Sequence, residues 1–182
     1  MKTVVREGVF ETNSSSAHTL TFRTLQRPKI QLPERFQHYI KDDGYIHVKL
    51  GVYGRKFNIL KNLSEKLSYI ASGIIFWSEN NIENEEWWDD EKVNEDTVPP
   101  REWRAWLTDQ EKIESDPEWQ MVVDEVKAYL PDCKGIKLIP SHGFIDHQSS
   151  GFYEKIINGK QHTLKEILFS EDVYILVDHD EH

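Results

Sequence analysis

The chain of 182 residues has little cysteine: Cys133 is alone. A single thiol excludes an internal disulfide and a Cys-based zinc site, and it fits a reducing compartment. Lys134 beside it would favour a thiolate, yet no second Cys stands near, so a structural thiol is expected. No apolar run approaches the ~20 residues that span a bilayer, and no apolar leader region opens the chain. A cytoplasmic protein without a membrane partner is expected. Several motifs are also missing. There is no Gly-x-Gly-x-x-Gly, no Walker-type phosphate loop, no Gly-x-Ser-x-Gly elbow and no His-Glu-x-x-His. These absences remove the simplest routes to dinucleotide binding, P-loop chemistry, α/β-hydrolase catalysis and zinc proteolysis.

What is present is aromatic bulk and uneven charge. Six Trp, eight Phe and seven Tyr offset a hydrophobic content of 38% and make a core feasible in one domain over residues 1–182. The net charge is −10. Met1–Ser78 holds 12 Lys and Arg against 6 Asp and Glu, Glu79–Asp132 holds 5 against 18, and Cys133–His182 holds 5 against 8. A basic first part suits an anionic ligand, and the acidic middle would repel nucleic acid or imitate it. Direct nucleic-acid binding is therefore not expected, since phosphate contacts need positive charge.

Local patterns give the elements. Thr3–Val5 and Thr19–Arg23 read as strands, and Tyr45–Leu50 alternates cleanly with Ile46, Val48 and Leu50 on one side. Phe57, Leu60, Leu63, Leu67, Ile70 and Ile74 recur at helical steps and predict one helix. Residues 79–100 surround Trp87-Trp88 with acids and read as an insertion or loop. Arg101–Ile113 looks helical. Ser115-Asp116-Pro117-Glu118 opens a helix through Tyr129 or Leu130, with Ser115 as its cap. Ile136–Ile139 is a short strand, and Phe152–Ile157 reads as another, with Asn158-Gly159 as its turn. Thr163-Leu164-Lys165-Glu166 has capping-box spacing for a helix through Phe169, and the apolar run Val173–Val177 suits a strand covered on both faces. The fold expected is a single α+β domain, a mixed sheet covered by three or four helices, with an acidic Trp-rich insertion.

Three polar clusters border these strands. Glu11, Asn13, Ser14, Ser15, Ser16 and His18 form the first. Ser141, His142, Asp146, His147, Gln148 and Ser149 form the second, and Asp178, His179 and Asp180 the third. Convergence at one sheet edge would let the first bind an anionic ligand, with His142, Asp146, His147 and Asp178 supplying acid–base chemistry. Such a ligand would be a nucleotide or another phosphate compound, because a hydroxyl-rich loop can offer backbone N–H groups to an anion. Hydrolysis with a histidine base is the reaction class to expect of such a set. No metal or cofactor is named by the spacing.

The opening Gly8-Val9-Phe10-Glu11-Thr12-Asn13-Ser14-Ser15-Ser16-Ala17-His18 resembles the N-terminus of a family of uncharacterised proteins from bacteriophages and Gram-positive bacteria. In that family a phrase like Phe-Glu-Thr-Asn-Ser-Ser-Ser-x-His recurs near the start. The final helix, apolar strand and Asp-rich finish also look like it. The resemblance implies a phage or mobile-element origin and brings no activity with it. A different class of function is an effector without catalysis, binding or inhibiting a host protein through its acidic Trp-bearing surface, as a possible DNA mimic.

Overall fold

The computed structural model describes residues 5–7, 16–23, 27–53, 57–80, 113–139, 141, 144–145, 152–159 and 162–179. In chain order the strands are β1 Val5–Glu7, β2 Ser16–Phe22, β3 Tyr45–Lys49, β4 Val52–Tyr53, β5 Asn58–Leu60, β6 Gly135–Ile139, β7 Phe144–Ile145 and β8 Val173–His179. The α-helices are α1 Leu63–Asn80, α2 Pro117–Tyr129, α3 Phe152–Asn158 and α4 Leu164–Phe169, and a 3-10 helix spans Pro33–Tyr39. The chain is an α+β fold. The acidic segment after Asn80 and the helix expected over Arg101–Ile113 lie outside the described residues, apart from the last residue, Ile113. Glu79 and Asn80, expected to begin the insertion, are the last turn of α1.

The larger sheet has the order β1-β2-β8-β5, antiparallel throughout. In antiparallel pairs, directly opposed residues share a face. His18, Leu20 and Phe22 therefore lie beside Val177, Ile175 and Val173, and this face is buried against the helices. β8 is central and apolar, as the run Val173–Val177 predicts, and its pairing extends to His179.

Parallel pairing is confined to β3–β6 and β4–β7. A parallel return needs a long crossover, and α1 and α2 lie on it. The two ladders differ in offset: Lys49 pairs with Ile139, but Val52 pairs with Phe144. Ser141 fills the break. Its Oγ accepts from Leu50 N at 2.8 Å and donates to Ile139 O at 2.9 Å. One member of the second polar cluster is thereby a ladder plug.

Three sequence expectations change. The helical stripe from Phe57 begins too early, because Asn58–Leu60 pairs with β8 as β5. Asn62 starts α1 instead: its Oδ1 accepts from Glu65 N, and Glu65 Oε2 accepts from the N–H groups of Asn62 and Lys61. The strand expected over Phe152–Ile157 is α3. Phe152, Tyr153, Ile156 and Ile157 are buried while Glu154 and Lys155 are exposed, a one-sided helix rather than an alternating strand. The cap of α2 is Asp116, which accepts from Glu118 N and Trp119 N, rather than Ser115. The box at Thr163 and Glu166 forms as its spacing predicts.

Gly73 sets the distance between α1 and α3. A Cβ there would stand 2.7 Å from Tyr153 Cδ1. Tyr153 is 3% exposed, and its hydroxyl is engaged by Glu118 of α2, so the ring has little freedom to retreat. An alanine in a helix interior normally gains about 1 kcal/mol over glycine. Here overpacking, which costs about 1–3 kcal/mol, outweighs that gain. Gly73→Ala is expected to lower the urea midpoint with an unchanged denaturant slope.

Candidate functional site

The register of β2 against β8 brings Ser16 and His18 of the first polar cluster and Asp178 and His179 of the third to one end of the sheet. Ser16 pairs with His179, Ala17 with Asp178 and His18 with Val177. Glu11, Asn13, Ser14 and Ser15, on the chain just before β2, lie outside the described residues, as do His142, Asp146 and His147 of the second cluster. Ile145, inside that second cluster, and Phe152, just after it, are described. Ile145 pairs with Tyr53 in the β4–β7 ladder, and Phe152 opens α3. Both reach the same place. The Tyr53 and Tyr69 rings meet edge to face at 5.1 Å, and the His18 ring lies 5.6 Å from Tyr69 and 6.4 Å from Phe152.

His18 is the described member of the expected ligand set whose side chain can be followed. It is 0% exposed, and its Nδ1 shares a 2.6 Å hydrogen bond with the Tyr69 hydroxyl; the ring's tautomer decides which group donates. This is the geometry of a positioning residue. His18 fixes β2 against α1.

Sequence reasoning missed the partners of His18. They belong to α1, which is buried from Lys66 through Ile74. A helix buried on nearly all sides must satisfy its polar residues internally. Tyr69 takes His18. Ser68 Oγ accepts from the Tyr53 hydroxyl at 2.8 Å, and Ser72 Oγ donates to Ser68 O and accepts from Gly51 N. Burial pushes the Tyr53 hydroxyl up to about 12 and raises Tyr69 well above the ordinary phenol range, so both keep their protons near neutral pH. The available signal was a row of polar residues inside an apolar helical stripe. It marks buried polar groups without naming their partners.

A second cluster escaped the sequence reading and lies on the surface. Asp43 Oδ2 accepts from Lys137 Nζ at 2.8 Å and from His47 Nε2 at 3.0 Å, and Oδ1 accepts from Tyr45 N. Lys137 and His47 hold the Asp43 carboxyl well below the usual carboxylate range. The Lys137 ammonium also stands 4.0 Å from the centre of the Tyr45 ring. This network ties the turn before β3 to β6. It is self-paired, and exposed pairs of this kind contribute little to stability. Cys133 is 4% exposed and its Sγ lies 3.2 Å from Gly135 O, which agrees with a structural thiol.

Among the described residues, no group of three or more His, Cys, Asp or Glu side chains is placed to hold a metal ion. No helix among them is long and apolar enough to cross a membrane. The chain matches no protein-family model, no curated protein and no solved structure. The His18–Tyr69 contact is open to direct measurement. Tyr69→Phe removes the hydroxyl from a site with no access to water and is expected to cost about 1–3 kcal/mol in chemical denaturation. Ser72→Ala, which removes weaker hydroxyl contacts, is expected to cost about 0.5–1.5 kcal/mol.

Proposed function

We propose that this chain binds a small anionic ligand, a nucleotide or another phosphate compound, at the sheet end where Ser16 meets His179. The observation that carries the reading is the β2–β8 register, which sets Ser16 opposite His179 and Ala17 opposite Asp178. Ile145, within the His142–His147 stretch, and Phe152, just after it, lead to the same end through Tyr53, Tyr69 and His18. In this reading Glu11, Asn13 and Ser14–Ser16 form the binding wall, and His142, Asp146, His147 and Asp178 supply proton transfer for a hydrolytic reaction. The setting is the host-cell cytoplasm, with a phage or mobile-element origin.

One sequence observation favours a reading of another class. Glu79–Asp132 carries 18 acids against 5 bases, with Trp87-Trp88 inside it. That composition suits an effector that captures a host protein through an acidic, aromatic surface.

Ligand binding to the folded state raises the unfolding midpoint, and capture of a protein through a separate surface does not require it. At a ligand concentration of about 100 Kd the rise for a chain of this size is roughly 5–10 °C. The expected result is a rise of that order with inorganic phosphate, ATP or ADP, with and without magnesium. Joint Ser14→Ala, Ser15→Ala and Ser16→Ala substitution should abolish it. A flat response across the panel, with a host protein retained by the intact chain and lost on deletion of residues 81–96, would replace this reading with the effector.

A further inference from the structure

Lys66 is 0% exposed at the end of the first turn of α1. Its Nζ donates to Ile167 O at 2.8 Å and to Ser170 O at 2.9 Å. These carbonyls belong to the end of α4, where a helix leaves acceptors without intrahelical partners. The junction also has other ties. Ser170 bridges Ile30, Phe169 O accepts from Gln31 N, and Asp172 O accepts from Arg23 N. One amine is thus bonded where α4, the 30–31 segment and the start of β8 meet.

The surroundings favour an amine over an ammonium. A neutral amine has two N–H hydrogens, which match the two carbonyls, whereas an ammonium has a third hydrogen to place. The nearest carboxylates are committed elsewhere. Glu65, on the same helix, accepts from the N–H groups of Lys61 and Asn62, and Glu171, in the turn after α4, pairs with Arg35. Glu166, on α4, is held by Thr163 and Arg27. Burial lowers the Lys66 pKa to about 7, against the opposing pull of Glu65 and Glu171.

We propose that Lys66 is held as an uncharged amine in the closed protein, and that the junction of α4 with β8 opens more readily as pH falls toward neutral because an opened Lys66 takes up a proton, making a pH-responsive latch. The sign follows from proton binding. Between about pH 7 and 10.5 an opened or unfolded chain holds a proton on Lys66 that the closed state does not. Stability from this group therefore rises with pH across that window, at most tenfold in the equilibrium constant per pH unit, and is flat below it. β8 leads on to Asp178 and His179, so the latch acts on the strand that reaches the proposed site; its chemistry does not depend on that site binding anything.

Two measurements on the full chain test the latch. In lysine side-chain NMR of the wild-type protein, one lysine should titrate between pH 6 and 8. If every lysine titrates near its ordinary value of about 10.4, the proposal is overturned. In hydrogen exchange corrected for intrinsic rates, the amides of Arg23 and Gln31 should be protected roughly 10- to 30-fold more at pH 8.5 than at pH 6. Lys66→Met should remove that dependence. Equal protection at both pH values, or the same dependence in Lys66→Met, counts against the latch. If Lys66→Met does not fold, the wild-type titration decides alone.

Discussion

The pairing of β2 with β8 is the constraint on which the rest of the structure depends. Seven residue pairs join segments from opposite ends of the sequence. The cost of closing so long a loop grows only slowly with its length, but it must be met before any distant contact rewards it. The apolar face of the sheet fixes the register. A slip by one residue would turn His18, Leu20 and Phe22 away from Tyr69 and the core, and put Thr19 and Thr21 in their place. The same register that buries Leu20 against the helices therefore places Ser16 opposite His179. The candidate site is a consequence of core packing.

The helix that covers this sheet is packed by an unusual means. From Lys66 to Ile74 almost no side chain of α1 meets water, yet four of them are polar. Each has an identified partner on a different element: α4 for Lys66, β4 for Ser68, β2 for Tyr69, and the Gly51 turn for Ser72. Apolar packing alone tolerates rotation and sliding of a helix. Four buried polar groups with directional partners remove that freedom, because any other seating leaves several of them unsatisfied at once. Specificity here comes from polar groups inside the core, and it extends to His18 at the head of the sheet.

The elements most legible in the sequence were those whose signals are local. The alternation in Tyr45–Leu50, the box at Thr163 and Glu166, and the apolar run Val173–Val177 each produce the element they predict. Errors arose where two signals compete over a short span. Phe57 and Leu60 fit the helical period of α1 by coincidence, while Asn62 and Glu65 carried the true start. Phe152-Tyr153 and Ile156-Ile157 resemble an apolar strand until their spacing is read as two adjacent pairs one helical turn apart. Of the site, its residue types were legible but its assembly was not. Which strand lies beside β2, and in which register, depends on contacts between distant segments that no window of sequence contains.

α4 shows how few residues can suffice when both ends are satisfied from outside. It has six residues, too few to be stable alone. At its start, Thr163 and Glu166 cap each other, and Arg27 pairs with the same carboxylate. At its end, Lys66 takes the carbonyls of Ile167 and Ser170. The two ends titrate differently. Burial pushes the Glu166 pKa up, but the N–H and hydroxyl of Thr163 and the charge of Arg27 outweigh it, and the net shift is downward. Its contribution is present above the ordinary carboxylate range and is lost as pH falls through the lowered value. At the other end the weakening comes at a higher pH, because an opened Lys66 takes up a proton that the closed state excludes. Acid therefore weakens α4 in two separated steps, the C-terminal end first, and the strand that follows it is the one that carries the chain back to β2.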